Sequence, residues 1–142
     1  MRWITHLGGF RVTALVCLAL LAIDRRLGLA VLAAVSMSGI IVQVLKRGFG
    51  RRRPWDAKAD KPLAVIKLPD PFSFPSGHSA AITAVAVTTS LYKPLLAPVL
   101  LPVAALVAAS RVTLRVHFIG DVLAGASIGL AAAIAAWALI LR

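Results

Sequence analysis

Acidic residues are scarce in this chain: five, against sixteen Lys and Arg in 142 residues, a formal net charge of +11. Such a balance points to an anionic partner. Aromatic residues make up only 6% of the chain, and no basic soluble module is interleaved with them, which argues against nucleic acid. The lone cysteine, Cys17, excludes an intrachain disulfide. Charge is missing altogether from long stretches, and neither an internal repeat nor a low-complexity tract is visible. Apolar residues, by contrast, reach 60%, with a mean hydropathy of +0.90. Ionisable residues lie in clusters between uncharged runs, which reads as an integral protein of the inner or plasma membrane. The length fits one domain, residues 1–142. Membrane lipids with anionic headgroups, or phosphorylated substrates, are the expected partners.

Hydropathy and turn residues predict an all-α class: a polytopic membrane bundle of about five transmembrane helices. Helix one is expected from Ile4 to Ile23, although only Val12 to Ile23 is free of charge. Arg2 and Arg11 before an apolar run resemble a signal peptide. Leu21-Ala22-Ile23-Asp24 makes a poor small-residue cleavage site, so the segment reads as a membrane helix. Asp24-Arg25-Arg26 is expected to form a polar turn. Helix two, Leu27 to Leu45, would measure about 28 Å at 1.5 Å per residue, enough to cross the hydrocarbon core. Ser36, Ser38 and Gly39 give it small positions suited to close helix packing. A long basic loop from Lys46 to Pro75 follows, interrupted by Pro54, Pro62, Pro69, Pro71 and Pro75. Helix three is expected from Ser76 to Tyr92 and helix four from Leu95 to Ser110, the latter kinked by Pro98 and Pro102. Helix five is expected from Val122 to Leu141.

Five spans put the end of helix two, the start of helix three, the end of helix four and the start of helix five on one membrane face. Those ends carry the polar constellations. In Lys46 to Pro54, Lys46 and Arg53 are seven residues apart and would share a face if the helix extends. Such a basic cluster can equally serve as a topology or lipid-headgroup signal. In Pro75-Ser76-Gly77-His78, a serine and a glycine at a helix start favour an anion, and His78 can move a proton near neutral pH. The plainer reading there is a helix cap beside an incidental histidine. In Ser110 to Asp121, His117 and Asp121 stand four apart and would touch on one helical face, the carboxylate orienting the imidazole for attack. Arg111 just upstream suits phosphate oxygens. Otherwise His117 simply lines a membrane helix while Asp121 offsets positive charge. Together these groups suit phosphoryl transfer. A metal site built from His78, His117 and Asp121 is the rival use, disfavoured because the surrounding Lys and Arg would repel a divalent cation.

In order along the chain these motifs read Lys-x6-Arg-Pro, Pro-Ser-Gly-His and Ser-Arg-x5-His-x3-Asp. The set resembles the type 2 phosphatidic acid phosphatase (PAP2) family, which shares its site with vanadium haloperoxidases and bacterial acid phosphatases. The resemblance implies that His117 is a nucleophile forming a phosphohistidine and that Asp121 orients it. It implies that His78 protonates the leaving alkoxide and then activates water. Lys46, Arg53, Ser76, Gly77 and Arg111 would hold the phosphate, and no cofactor or metal is implied. Membrane members commonly have six spans where five are expected here, so completion of the lipid entrance by a second protomer, a homo-oligomer, stays open. Arg47, Arg51, Arg52 and Arg115 fall beside the motif positions and read as headgroup or interface charges.

The expected activity is hydrolysis of a phosphomonoester or diphosphate of a lipid: phosphatidic acid, phosphatidylglycerophosphate, a phosphoinositide, or a polyprenyl phosphate or diphosphate. A polybasic protein that only binds anionic lipid or partners is the alternative, and the paired histidines would be superfluous to it. A vanadate-dependent haloperoxidase fits the small chain and membrane setting poorly. Twelve of the 16 Lys and Arg fall on the active face, which leans that face towards the cytoplasm.

Overall fold

Two residues of opposite character mark the ends of the longest helix. Asp24 caps its start, the carboxylate accepting from the Leu27 N–H at 3.1 Å. Gly50 ends it in the left-handed region, φ 55°, where a side chain would be strained. The computed structural model describes residues 4–54 and 70–142. Residues 1–3 and 55–69 lie outside the described residues, and with them Arg2, Pro62, Pro69 and the lysines from Lys58 to Lys67. Among the described residues five long helices form a bundle: α1 (Phe10–Ile23), α2 (Arg25–Phe49), α3 (Gly77–Tyr92), α4 (Ala97–Thr113) and α5 (Ile119–Ala136). Short 3-10 segments at Ile4–Gly8 and Pro94–Leu96 precede α1 and α4, and α5 runs on into a π turn at Trp137–Leu141. The described part is helical, and its only bridge pairing is the isolated one between Arg52 and Phe72.

Several boundaries differ from the expected ones. The first span is broken at Gly8-Gly9. Gly9 is extended (φ −78°, ψ 152°), and two adjacent glycines favour continuing the helix less than any ordinary pair. Only 14 residues remain in α1, and the preceding 3-10 turn packs against α3 and α4. The polar turn shrinks to Asp24, because its cap starts α2 at Arg25. At its other end α2 extends to Phe49, so Lys46 and Arg47 sit in its last turn. In turn α5 begins at Ile119, which puts Asp121 in its first turn.

Arg25–Phe49, Pro94–Thr113 and Ile119–Leu141 are each long and apolar enough to cross a membrane. Leu95 at 94% and Phe10 at 87% head a set of exposed large apolar side chains, whereas Lys46, Arg53, Arg111, His117 and Asp121 are buried. That inversion suits a bundle solvated by lipid. In the interior, α3 is flanked by α2, α4 and α5. Its buried positions are Ala, Ser and Thr, which lets neighbouring backbones come close.

The expected packing role of Ser36 and Gly39 is not what the structure shows. Both are exposed, and a Cβ on Gly39 would meet nothing within 4 Å; Ser38 alone of the three is buried. Close approach falls instead to Gly125 and Gly129 of α5. A Cβ there would lie 2.3 Å from the carbonyl oxygens of Ser76 and Ala80. This contact presses the start of α5 onto the start of α3.

Candidate active site

Three helix ends and two loop segments build one cluster. The Ser76 side chain caps α3, accepting from the Ser79 N–H at 3.4 Å and the Ser79 hydroxyl at 3.0 Å. The Ser76 N–H donates to the Asp121 carbonyl at 2.9 Å, which ties the α3 and α5 starts together. At the end of α4 the chain turns through Leu114 and Arg115, the latter at φ 54° in the left-handed position that glycine usually holds. The N–H groups of Val116 and His117 then both donate to the Arg111 carbonyl, at 3.2 and 3.3 Å. The candidate nucleophile is thus pinned to the helix end that carries a candidate phosphate ligand.

His117 is not helical, and its expected pairing with Asp121 on a helical face is corrected accordingly. It lies in the turn before α5, and the Asp121 Oδ2 stands 3.8 Å from its Nδ1, too far for a hydrogen bond. The closer partner is the Ser73 carbonyl, 2.7 Å from Nδ1. A carbonyl only accepts, so Nδ1 carries the proton and Nε2 keeps its lone pair. Asp121 is occupied elsewhere: Oδ2 accepts from the Phe118 N–H at 2.8 Å and Oδ1 pairs with Arg51 at 2.9 Å. Arg51 also lies 4.2 Å over the Phe118 ring. It therefore does more than the headgroup contact expected of it.

Lys46 and Arg53 do converge, but not along an extended helix. The chain leaves the helix at Gly50, and Arg53 returns in an extended segment held by bonds from Ser73 to the Arg51 and Arg52 carbonyls. They meet on Asp70. Lys46 Nζ lies 2.7 and 2.9 Å from its two carboxylate oxygens, and Arg53 Nη2 lies 3.3 Å from one of them. Burial draws the Arg53 guanidinium below its ordinary value, and the Asp70 carboxylate opposes this. Arg111, 1% exposed, donates to the Thr5 hydroxyl. The Nε atoms of Arg53 and Arg111 have no hydrogen-bond partner among the described residues, so each has a donor to offer an anion.

A cavity of about 1870 Å³ opens over this cluster. Lys46, Arg53, Gly77, His78, Arg111 and His117 all line it, and apolar residues of α1 and α2 form its walls. The volume exceeds the roughly 300–1,000 Å³ of a small-molecule pocket, which leaves room for a lipid tail beside a headgroup. Ser76 and Asp121 are fully buried and do not line it. Among the described residues no three His, Cys, Asp or Glu side chains are grouped to hold a metal ion.

The PAP2 superfamily profile matches residues 27–142, which include all three motifs. The chain belongs to the PAP2 superfamily. It is 31% identical over 110 residues to the lipid A 1-phosphatase of Rhizobium etli, covering 72% of this chain and 46% of that protein. The chain thus spans about half the length of this curated relative. Its fold matches the crystal structure of Aquifex aeolicus LpxE with a TM-score of 0.81 at 24% identity, over 96% of this chain and 82% of that one. It also matches the first transmembrane PAP2 type phosphatidylglycerolphosphate phosphatase from Bacillus subtilis, with a TM-score of 0.76 at 28% identity, over 98% and 74% of the two chains.

Thr5 precedes the part matched by the PAP2 profile, and nothing in its local sequence marks it. Its contact with Arg111 spans 106 positions. Thr5→Val keeps the shape and removes the acceptor, leaving a buried guanidinium N–H unpaired. We expect it to lower phosphatase kcat/KM by about tenfold and Thr5→Ser to restore most of it. Equal rates for the three proteins would show that Arg111 does not depend on Thr5. Asp70 and Ser73 were also missed; only the presence of an acid in a strongly basic loop, two residues before Phe72, offered a hint.

Proposed function

We propose that this protein is a multi-pass membrane lipid phosphatase that hydrolyses a phosphomonoester or diphosphate whose tail stays in the bilayer. The observation that carries the reading is the shared cavity: two histidines and three buried cations at one end, apolar helix walls at the other. Membership of the PAP2 superfamily supports it, as do the names of relatives that act on lipid A and phosphatidylglycerolphosphate. Lipid A thereby joins phosphatidic acid, phosphatidylglycerophosphate, phosphoinositides and polyprenyl phosphates or diphosphates on the substrate panel.

In the proposed mechanism, Lys46, Arg53 and Arg111 hold the phosphoryl oxygens, with the Gly77 backbone at the start of α3. Ser76, expected to join them, caps the helix from beneath instead, its N–H taken by the Asp121 carbonyl. The His117 Nε2 attacks phosphorus while the bond to the lipid oxygen breaks. Protonated His78 gives its proton to that alkoxide. The neutral His78 then takes a proton from water, and the resulting hydroxide displaces His117 as inorganic phosphate leaves. The Ser73 carbonyl holds the tautomer throughout, and Asp121 stabilises the imidazole when it is positively charged. Protein purified in detergent should release phosphate from lipid phosphates in excess chelator. Complete loss on chelation would overturn the metal-independent reading.

Burial is the largest influence on His117 and pushes it below the ordinary imidazole value; Asp121 pulls it up, and Arg111 and Arg53 lower it again. The attacking form is the neutral one, so it is fully present at neutral pH and lost only as pH falls through that depressed value. Asp121→Asn removes the upward pull. The acidic limb of its kcat/KM profile, measured from about pH 4 to pH 8, should therefore lie below that of the wild type. A limb displaced upwards would contradict this assignment.

The excess of positive charge on the active face favours a cytoplasmic orientation. Cysteines placed between Lys58 and Lys67 should react with impermeant reagent only from the inside; labelling from outside would reverse the orientation.

A further inference from the structure

Among the described residues Asp70 is the one acid that lines the cavity, and it holds two of the three cations assigned to phosphate. Its position is well defined. Oδ1 also accepts from the Phe72 N–H at 3.0 Å, and its backbone carbonyl accepts from Arg53 Nη2 at 2.9 Å. The side chain is 22% exposed, so it faces the cavity rather than lying beneath it. Burial pushes its carboxyl up, but Lys46, Arg53 and the Phe72 N–H outweigh that and hold it below the ordinary value. A carboxylate is therefore seated where a phosphoryl group has to bind. The other acid of the cluster, Asp121, is turned away to Arg51 and Phe118.

Resting on the phosphate-site reading above, we propose that Asp70 is a built-in competing anion that sets a charge threshold, admitting dianionic phosphomonoesters and diphosphates and rejecting monoanionic phosphodiesters. A tethered carboxylate competes for Lys46 and Arg53 at a high effective concentration. A phosphodiester headgroup carries one negative charge, the same as the group it must displace or sit against. Exchange then gains little Coulomb energy. A phosphomonoester carries close to two charges at neutral pH and three terminal oxygens, so it can engage Lys46, Arg53 and Arg111 together despite the carboxylate. Specificity here comes from an element that disfavours the wrong ligand. Its use is evident in a bilayer, where diester phospholipids surround the site and would otherwise occupy it.

The experiment measures inhibition of lipid phosphomonoester hydrolysis in mixed micelles by phosphatidylglycerol, a monoanionic diester, and by inorganic phosphate. Asp70→Asn should lower the inhibition constant of the diester by about tenfold and that of inorganic phosphate by no more than about threefold. An unchanged ratio in an active Asp70→Asn protein would overturn the proposal. So would weaker binding of both inhibitors with a raised KM, because Asp70 would then be holding the cations for substrate. If Asp70→Asn does not accumulate as folded protein, Asp70→Ser carries the same comparison. Failure of both to fold, with Asp70→Glu folding normally, would make the carboxylate structural and also overturn it. Failure of the underlying reading looks different: Lys46→Ala and Arg53→Ala would then leave inhibition by inorganic phosphate intact.

Discussion

His117→Ala should abolish turnover, lowering kcat by at least about 10⁴-fold while the protein still folds and still binds lipid phosphate. The size follows from the proposed role. The imidazole supplies the bond to phosphorus, and the Ser73 carbonyl on Nδ1 leaves its Nε2 lone pair free to make it. The ring occupies a turn rather than a helix interior, so truncation leaves α4 and α5 intact. Phosphoryl label from the substrate should be trapped on wild-type protein quenched in alkali and be absent from the variant. A variant retaining more than about one tenth of wild-type kcat would remove His117 from the nucleophile's role. It would also favour the non-catalytic alternative of a polybasic lipid-binding protein.

Gly125→Val should be nearly as damaging, by a different route. A Cβ at that position would lie 2.3 Å from the Ser76 carbonyl oxygen, and that atom belongs to backbone, which cannot swing aside. The start of α5 must then move off the start of α3. That movement lengthens the bond from the Ser76 N–H to the Asp121 carbonyl and shifts the turn carrying His117. Overpacking of this kind costs about 1–3 kcal/mol or more, and displacing a nucleophile by an ångström costs a further factor of about 10² in rate. Melting in detergent and phosphate release would be measured together. A melting temperature and activity equal to wild type would show that the close contact does not position the site. Gly39→Ala is the control for melting, because its Cβ would meet nothing within 4 Å.

Where the sequence misjudged local structure, identifiable competing effects explain it. The i,i+4 spacing of His117 and Asp121 suggested a shared helical face, but α5 starts between them at Ile119. No glycine announced the preceding turn, because Arg115 takes the left-handed position. Small residues in α2 resembled a packing stripe, but Ser36, Ser38 and Gly39 all line the cavity instead.

By itself the sequence determined the helical membrane class, the bundle of five helices and the three motifs, because hydropathy runs, prolines and short spacings are local properties of the chain. It also singled out Lys46, Arg53, His78, Arg111 and His117, which line one cavity. Only the tertiary structure decided how those groups are held. It seats Asp70 between Lys46 and Arg53, gives His117 the Ser73 carbonyl as its hydrogen-bond partner, turns Asp121 towards Arg51 and sets Thr5 on Arg111. These contacts join residues from 17 to 106 positions apart. Distance in the chain carries no periodic signal, so such pairings are settled by which loops the packed helices bring together.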